Sequence, residues 1–170
     1  MLKVELGSGD KSTWTDGYKH LDVRQLDGID YVSDVRKLPF NDDEVDEFLA
    51  FHVIEHMELS EAKKALKEWH RCLKSGGGVV IKCPNLYYIC SEYMKWRTPQ
   101  LQSNNIQNDQ RGYDLIGWLY GEQNYPENYH FFTYDYWILS DILKEVGFKT
   151  VMFLQGFSVF SQNLGIVAIK

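Results

Sequence analysis

Acidic and glycine residues stand where the first strands of this chain are predicted to end. Glu5 and the run Gly7-Ser8-Gly9 lie at the end of the first strand, Asp22 ends the second, Asp34 follows the third, and Phe51-His52 ends the fourth. In an open parallel sheet, ligands bind outside the carboxyl ends of the strands. Glycines let the backbone approach a ligand closely, and a carboxylate can accept hydrogen bonds from a ribose diol. The pattern predicts a nucleoside site.

Short β-branched or apolar segments predict the strands that would position these groups. The predicted strands are residues 3–6, 19–23, 30–33, 45–51 and 78–83. Between the last two lies the strongest helical pattern, with one apolar face made of Leu59, Ala62, Leu66, Trp69 and Leu73. We expect Ser60 to cap this helix and Gly76-Gly77-Gly78 to end it. A strand, a helix and a strand in this order favour a parallel sheet.

The connections on either side of this unit differ in length and composition. Only ten residues, 10–19, join the first two strands, so the first helix must be one turn or missing. After Pro84 we expect a helix over 86–97 that ends before Pro99, a short helix over 113–119, and a helix from an N-cap at Thr133 to Gly147. Strands over 148–153 and 165–170 would close the fold. The aromatic-rich stretch 86–130, which includes Tyr125, is interpreted as an ordered lid.

Composition limits the classes of protein that fit. The 170 residues carry 18 Lys and Arg against 24 Asp and Glu, a net charge of −6, which argues against a nucleic-acid-binding surface. No apolar run approaches the length of a membrane span, and residues 1–5 carry no signal-peptide pattern. Three cysteines without metal-like spacing predict reduced thiols. We therefore expect a cytoplasmic protein with no membrane partner; the sequence leaves its oligomeric state open.

Several segments in order resemble the class I S-adenosylmethionine-dependent methyltransferases, most closely the small type-11-like group. The segments are residues 4–10, 20–23, 33–40, 45–56, 73–77, 119–121 and 130–134. The resemblance implies one Rossmann-like α/β domain over residues 1–170, with a mostly parallel sheet and helices on both faces. The sequence departs from the family in having a truncated N-terminal cap, so we expect the insert 86–130 to shield the cofactor in its place. The implied cofactor is S-adenosylmethionine.

The resemblance also implies roles for individual residues. Glu5, Gly7, Ser8 and Gly9 would form the first cofactor loop, and Asp22 would hold the ribose hydroxyls. Asp34 would lie near the adenine amino group and Val35 against the adenine ring. Phe51 and His52 would lie under the methionine part and the sulfonium.

Methyl transfer to an oxygen or nitrogen of a small-molecule or sugar-like acceptor is the function that this resemblance favours. Placement of the acceptor supplies much of the catalysis, and a hydroxyl acceptor also needs its proton removed. His52 and His130 are the candidate bases, since histidine titrates near neutral pH. We expect the acceptor surface to be the insert 86–130 together with Tyr134 and Trp137. The alternative is a non-catalytic module that binds a nucleoside or a partner.

A second alternative is a zinc hydrolase, because residues 52–56 read His-Val-Ile-Glu-His. On a helix, His52 and His56 would share a face and could bind zinc, with Glu55 as general base. The motif directly follows a strand, however, and no downstream residue stands out as a third ligand. We therefore expect no metal ligands in this chain.

Overall fold

Among residues 1–103, 110–124 and 128–170, which the computed structural model describes, seven strands form one sheet in the order β3-β2-β1-β4-β5-β7-β6. Strands β1 to β5 pair in parallel, whereas β7 runs antiparallel to β5 and β6. The bounds are β1 Lys3–Leu6, β2 Lys19–Asp22, β3 Tyr31–Val32, β4 Val45–Phe51, β5 Leu73–Pro84, β6 Thr150–Phe153 and β7 Asn163–Ile169. The predicted Rossmann-like, mostly parallel sheet is confirmed.

The strand order reverses at β1, which lies between β2 on one side and β4 on the other. The chain therefore leaves β1 toward one edge of the sheet and later returns to pair β4 on its opposite side. Such a reversal opens a crevice at the carboxyl ends of the strands. The parallel register brings the ends of β1, β2 and β4 to the same edge, since Leu6 pairs with Leu21 and with Ala50.

Four helices and two short 3-10 turns are described: α1 Leu59–Cys72, α2 Leu86–Gln102, α3 Gln110–Tyr120, α4 Tyr136–Val146, and the turns Lys11–Thr13 and Ile54–His56. Helices α1 and α4 contact each other and cover one face of the sheet. There Trp69 and Leu143 pack with the inward-facing residues Phe48 and Ile81, all within one buried cluster. Burial of this apolar face is the main favourable contribution to folding.

At β1 and β2, the opposite face of the sheet is packed by a loop and a 3-10 turn. The Trp14 ring stacks on His20 at a centroid distance of 4.0 Å, and the Thr15 backbone amide donates to Glu5 Oε2 at 2.9 Å. The first crossover thus contains only the turn Lys11–Thr13, as its length predicts. The predicted helices on both faces are therefore present, but on this side of β1 and β2 the helix is reduced to the turn Lys11–Thr13.

Helix α1 begins and ends earlier than its sequence signals indicate. Its N-cap is Glu58, not Ser60, and its last residue is Cys72, after which Leu73 takes an extended conformation. Leu73 does so because it pairs with Val45 of β4. The three glycines therefore do not stop the helix: they lie within β5, where Gly78 pairs with Glu47 and with Ile169. Strand pairing overrides the local glycine signal.

Two other helix predictions are also wrong at one end. Helix α2 continues through Pro99 to Gln102. Proline has no N–H to donate to the Lys95 carbonyl, but Lys95 is exposed, so water can bind that carbonyl instead. Helix α4 is capped by Asp135, whose carboxylate accepts from the Ile138 amide at 2.8 Å. Thr133 cannot cap it, since the backbone oxygen of Tyr134 accepts from Leu86 and holds this segment extended. The stop at Gly147 is confirmed.

The segment 86–130 contains α2 and α3, which pack against each other. The Gly112 Cα lies so close to the Trp96 ring that a Cβ there would be 2.4 Å from it. Residues 104–109 and 125–127, including Tyr125, lie outside the described residues, so the lid over the whole of 86–130 stays a prediction. None of the described helices has the length and hydrophobicity that a membrane crossing requires.

Candidate active site

A cavity of about 1220 Å³ opens at the carboxyl edge of the sheet, where the strand order reverses. Every residue that the sequence assigns to the cofactor lines it: Glu5, Gly7, Ser8, Gly9, Asp22, Asp34, Val35, Phe51 and His52. The structure therefore brings the predicted cofactor residues together around one cavity. Their individual contacts with a bound cofactor stay predictions.

The loop after β1 turns sharply at the floor of this cavity. Gly7 and Gly9 have φ values of 60° and 64°, a conformation that favours glycine. A Cβ on Gly7 would also lie 2.9 Å from a methyl group of Val53. The buried Ser8 is fixed between them, because its amide donates to the Leu21 carbonyl at 3.0 Å. The loop thus exposes backbone, rather than side chains, to the cavity.

Asp22 links this loop to the tip of β2. Its Oδ2 accepts from the Gly9 amide at 3.0 Å, and its Oδ1 accepts from the amide and Nε of Arg24 at 2.9 and 3.0 Å. Burial raises the pKa of Asp22, but these hydrogen bonds and the Arg24 charge outweigh it, so the pKa lies below its usual value. Asp22 is therefore an anion. Because Arg24 Nη2 also donates at 3.3 Å, four donors already surround the carboxylate.

Asp34 repeats this pattern at the end of β3. The Arg36 guanidinium and amide donate to its carboxylate, and the pKa of Asp34 is lowered by these bonds against the effect of burial. Arg36 also donates to Glu61 at 3.0 Å, which ties the wall of the cavity to α1. The neighbouring Val35 carbonyl accepts from Trp69 Nε1 at 2.9 Å. The predicted adenine-binding residues are thus held rigidly before any ligand binds.

Glu5 and Phe51 line the cavity, and each also contacts another side chain or backbone group of the protein. Both carboxylate oxygens of Glu5 accept from Thr15, at 2.9 and 3.2 Å, so Glu5 anchors the loop that replaces the first helix. The Phe51 ring carries the Lys82 ammonium 4.1 Å from its centroid. A cation is therefore already placed against this aromatic face. The sequence does not show either engagement, since both partners lie far along the chain or across the sheet.

A second cavity, of about 760 Å³, adjoins the first. His52, His56 and Asn128 line both cavities. Much of the rest of the second cavity's lining comes from α3 and from the start of β7 and the residue before it, namely Tyr113, Asp114, Trp118, Gln162 and Asn163. His130 lines it too, so both predicted catalytic histidines border this space.

Three histidines at this junction have defined tautomers. The Nδ1 atom of His52 lies 2.9 Å from Glu55 Oε1, that of His56 lies 3.1 Å from the Tyr129 carbonyl, and that of His130 lies 3.1 Å from the Trp118 carbonyl. A carbonyl can only accept a hydrogen bond, as can an ionised carboxylate, so each Nδ1 carries the proton. In the neutral form of each ring, the lone pair is therefore on Nε2.

His130 and His52 differ in their burial and in their charged neighbours. Burial lowers the pKa of His130, and the neighbouring His56 and His52 lower it further, although Glu55 opposes them. His130 is therefore neutral at pH 7. His52 is more exposed and its ring is oriented by the fully buried Glu55.

Two residues expected at the acceptor surface lie elsewhere. Tyr134 is fully buried and belongs to the hydrophobic core. Trp137 lies outside both cavities and packs against Tyr87 at a centroid distance of 6.3 Å. Sequence reasoning missed Gln162 and Asn163, which line the second cavity, whereas Asn128 lies within the predicted insert 86–130. No local pattern marks them, because loops that are distant in sequence meet only in the folded chain.

The geometry that a zincin motif requires is absent from residues 52–56. His52 has a φ of 57° and precedes a turn of only three residues, Ile54–His56, so His52 and His56 do not share a helical face. Glu55 binds His52 rather than facing open space. The zinc hydrolase alternative therefore loses its structural basis.

The fold and part of the sequence match known methyltransferases. A family model described as a methyltransferase domain matches residues 15–81. The fold is similar to that of an S-adenosylmethionine-dependent methyltransferase from Thermotoga maritima, with a TM-score of 0.64 and 18% identity over 99% of this chain and 82% of the other. A methyltransferase from Archaeoglobus fulgidus gives a TM-score of 0.61 and 15% identity over 99% and 85%. No curated protein sequence matches the chain.

Human N-acetylserotonin methyltransferase, solved with S-adenosylmethionine, is also similar, with a TM-score of 0.58 and 15% identity over 99% of this chain and 47% of that one. Together with the sheet order, these likenesses confirm the predicted fold. The chain has the fold of class I S-adenosylmethionine-dependent methyltransferases, and residues 15–81 match a methyltransferase domain model. S-adenosylmethionine, which the human structure contains, is the cofactor that the sequence resemblance implies for this chain.

The first cavity fits this cofactor chemically. S-adenosylmethionine carries a net positive charge through its sulfonium and ammonium groups. The acidic side chains Glu5, Asp10, Asp22, Asp34, Glu58 and Glu61 line the cavity, against the two guanidinium groups Arg24 and Arg36. An excess of negative charge in a concave site attracts a cation.

Proposed function

We propose that this protein transfers a methyl group from S-adenosylmethionine to an oxygen or nitrogen of a small-molecule or sugar-like acceptor. The observation that carries this proposal is the junction of the two cavities at His52, His56 and Asn128. One cavity has the charge and backbone loop for the cofactor, and the other offers space for an acceptor. Their shared wall supports transfer between the two.

The lining of the second cavity supports an acceptor rich in polar groups. Asp114, Glu122, Gln162 and Asn163 supply carboxylate and amide groups, and Trp118 and Tyr113 supply aromatic surface. Amides and carboxylates bind hydroxyls, whereas aromatic rings stack on apolar faces. A volume of about 760 Å³ lies in the range of small-molecule sites. These features favour a small, polar acceptor over a macromolecule.

We assign the role of general base to His52. The bound cofactor supplies a methyl group on a sulfonium, which is a good leaving group. What the protein adds is placement of the acceptor and, for a hydroxyl, removal of its proton. His52 Nε2 has the free lone pair for that proton, and Glu55 stabilises the resulting imidazolium. His130 borders the same cavity and stays the second candidate base.

We also propose a cytoplasmic location, with no nucleic-acid or membrane partner. A net charge of −6 supports a protein that does not bind nucleic acid, and the described helices offer no membrane span. Cys72, Cys83 and Cys90 are free thiols, which supports a reducing cytoplasmic compartment. Fluorescence microscopy of a tagged chain in its host cells tests this location.

Binding and turnover together test the function. Calorimetric titration should show one molecule of S-adenosylmethionine bound per chain, and also one of its demethylated product. A panel of hydroxyl and amine acceptors is then incubated with the cofactor, and methylated products are detected by mass spectrometry. Absence of cofactor binding would overturn the proposal. Binding without turnover over a broad panel would instead favour the non-catalytic module.

A further inference from the structure

We propose that Glu55, His56 and His130 bind a divalent transition-metal ion beside the second cavity. One carboxylate oxygen of Glu55 and one ring nitrogen of each histidine lie within 4.8 Å of one another. Two imidazoles and one carboxylate form the ligand set of many catalytic zinc and non-haem iron sites. Small side-chain movements would bring the three atoms to coordination distance.

The histidine tautomers suit metal binding. His56 and His130 each donate their Nδ1 proton to a backbone carbonyl, at 3.1 Å in both cases. Metal-ligating histidines commonly donate their second ring N–H in this way, which fixes the ring and leaves the other nitrogen free to coordinate. The two rings meet edge to face with centroids 4.9 Å apart. Both free Nε2 atoms are thus preorganised.

The Glu55 carboxylate supplies an independent observation. Glu55 is 0% exposed, and its Oε1 accepts from His52. Its Oε2 is buried and has no hydrogen-bond partner among the residues that the structure describes. A buried polar atom without a partner is costly, so such atoms mark bound water, ions or functional groups. A cation would provide the missing partner.

Backbone hydrogen bonds hold the ligands together from two distant parts of the chain. The Phe131 amide donates to the Glu55 carbonyl at 2.8 Å, and the His130 amide donates to the Tyr120 carbonyl at 3.1 Å. The turn Ile54–His56 carries the other two ligands. The site therefore forms when the segment around residue 130 docks on the turn after β4.

The ion would act on the proposed reaction, and this step rests on the proposed function. His56 and His130 line the second cavity, so open coordination positions would face the acceptor. A metal ion lowers the pKa of a bound hydroxyl. The acceptor O–H bond then breaks with its proton passing to His52 Nε2, and the oxygen forms the new C–O bond as the C–S bond breaks with its electron pair left on sulfur. The inference names hydroxyl compounds as the acceptor class.

Cobalt titration of the tag-free, chelator-treated protein tests the site without any need for turnover. Co²⁺ bound by nitrogen and oxygen ligands gives visible absorption bands, and Zn²⁺ should displace it. We expect one ion per chain, and at least about a tenfold weaker affinity in His130→Ala and in Glu55→Gln. His70→Gln, which alters a histidine far from the cluster, should bind Co²⁺ as the wild type does.

Two results would overturn the metal inference. One is no saturable Co²⁺ or Zn²⁺ binding up to millimolar concentration, and the other is equal affinity in wild type and both folded ligand variants. Circular dichroism melting identifies folded variants, and His130→Gln replaces His130→Ala if the latter unfolds. Calorimetry with S-adenosylmethionine on metal-free protein separates the proposals: cofactor binding and chelator-insensitive transfer without Co²⁺ binding would refute the metal site alone.

Discussion

The backbone amide of Gly9 donates a 3.0 Å hydrogen bond to Asp22 Oδ2, which joins the loop after β1 to the tip of β2. This bond places an ionised, buried carboxylate on the wall of the first cavity before a ligand arrives. The loop and the carboxylate therefore act as one preformed unit. A change in either residue should be detected as a change in cofactor affinity.

Asp22→Asn should weaken binding of S-adenosylmethionine. The substitution keeps the shape but removes the charge and one acceptor oxygen, and loss of such a hydrogen bond costs about 1–3 kcal/mol. Calorimetric titration with the cofactor and with its demethylated product measures the loss. Asp27→Asn, at an exposed carboxylate that pairs with Lys11, is the matched control. Equal affinities for Asp22→Asn and wild type would remove Asp22 from the site.

Arg24→Ala should leave cofactor affinity unchanged or raise it. Arg24 donates to Asp22 through Nε and Nη2 and so occupies acceptor positions that a ribose diol needs. Removal of its side chain frees these positions, although the pKa of Asp22 then moves back toward its usual value. The same titration measures this effect. A loss of affinity of tenfold or more would mean that Arg24 itself contacts the ligand.

His52→Gln should reduce methyl transfer to a hydroxyl acceptor far more than it reduces cofactor binding. Loss of a general base lowers kcat by roughly 100- to 10,000-fold. Steady-state kinetics with a hydroxyl acceptor give kcat, and calorimetry gives the cofactor Kd. His70→Gln serves as the control because His70 packs against Phe148, away from both cavities. An undiminished kcat in His52→Gln would transfer the role of base to His130 or to solvent.

Gly121→Ala should destabilise the protein and disturb the second cavity. Gly121 has a φ of 75°, and a Cβ there would lie 2.1 Å from the Asn128 carbonyl oxygen. The substitution must shift the segment that carries Asn128 and His130, so we expect a loss of at least about 1 kcal/mol in unfolding free energy. Urea denaturation measures it. Gly117→Ala, at a helical glycine with no described atom within 4 Å of its Cβ position, should gain about 0.5–1 kcal/mol instead.

Stability should fall as the pH drops below neutrality, in part because of His70. Burial lowers the pKa of His70 from 6.5, and the charge of Lys170 adds to this effect. The unfolded chain binds a proton as the pH falls through about 6.5, while the folded chain resists it until a lower pH, so protonation favours unfolding over that window. His70→Gln should show a smaller difference between urea midpoints measured at pH 7.5 and pH 5.5. An identical difference would assign the pH dependence to other groups, such as His130.

The sequence determined the parts of this protein that depend on local pattern. The strands Lys3–Leu6 and Val45–Phe51 have their predicted bounds, because alternation of side chains and flanking turn residues are local signals. The same patterns placed Asp22 and Asp34 at strand ends, and parallel pairing then required them to meet at one edge. Helix ends were predicted less well: Thr133 lost its capping role because the Tyr134 carbonyl is held by Leu86, a contact that no neighbour in sequence reveals.

Only the tertiary structure decided what surrounds the second cavity. His56 lacked a visible third ligand in the sequence, yet His130 meets it across a connection that includes the three helices α1, α2 and α3. Tyr134 and Trp137 share an aromatic segment with His130, but one is buried and the other faces away, because helix α4 begins at Tyr136 and turns the chain. Contacts between distant segments depend on how whole helices pack, and a local sequence pattern does not show which segments will meet.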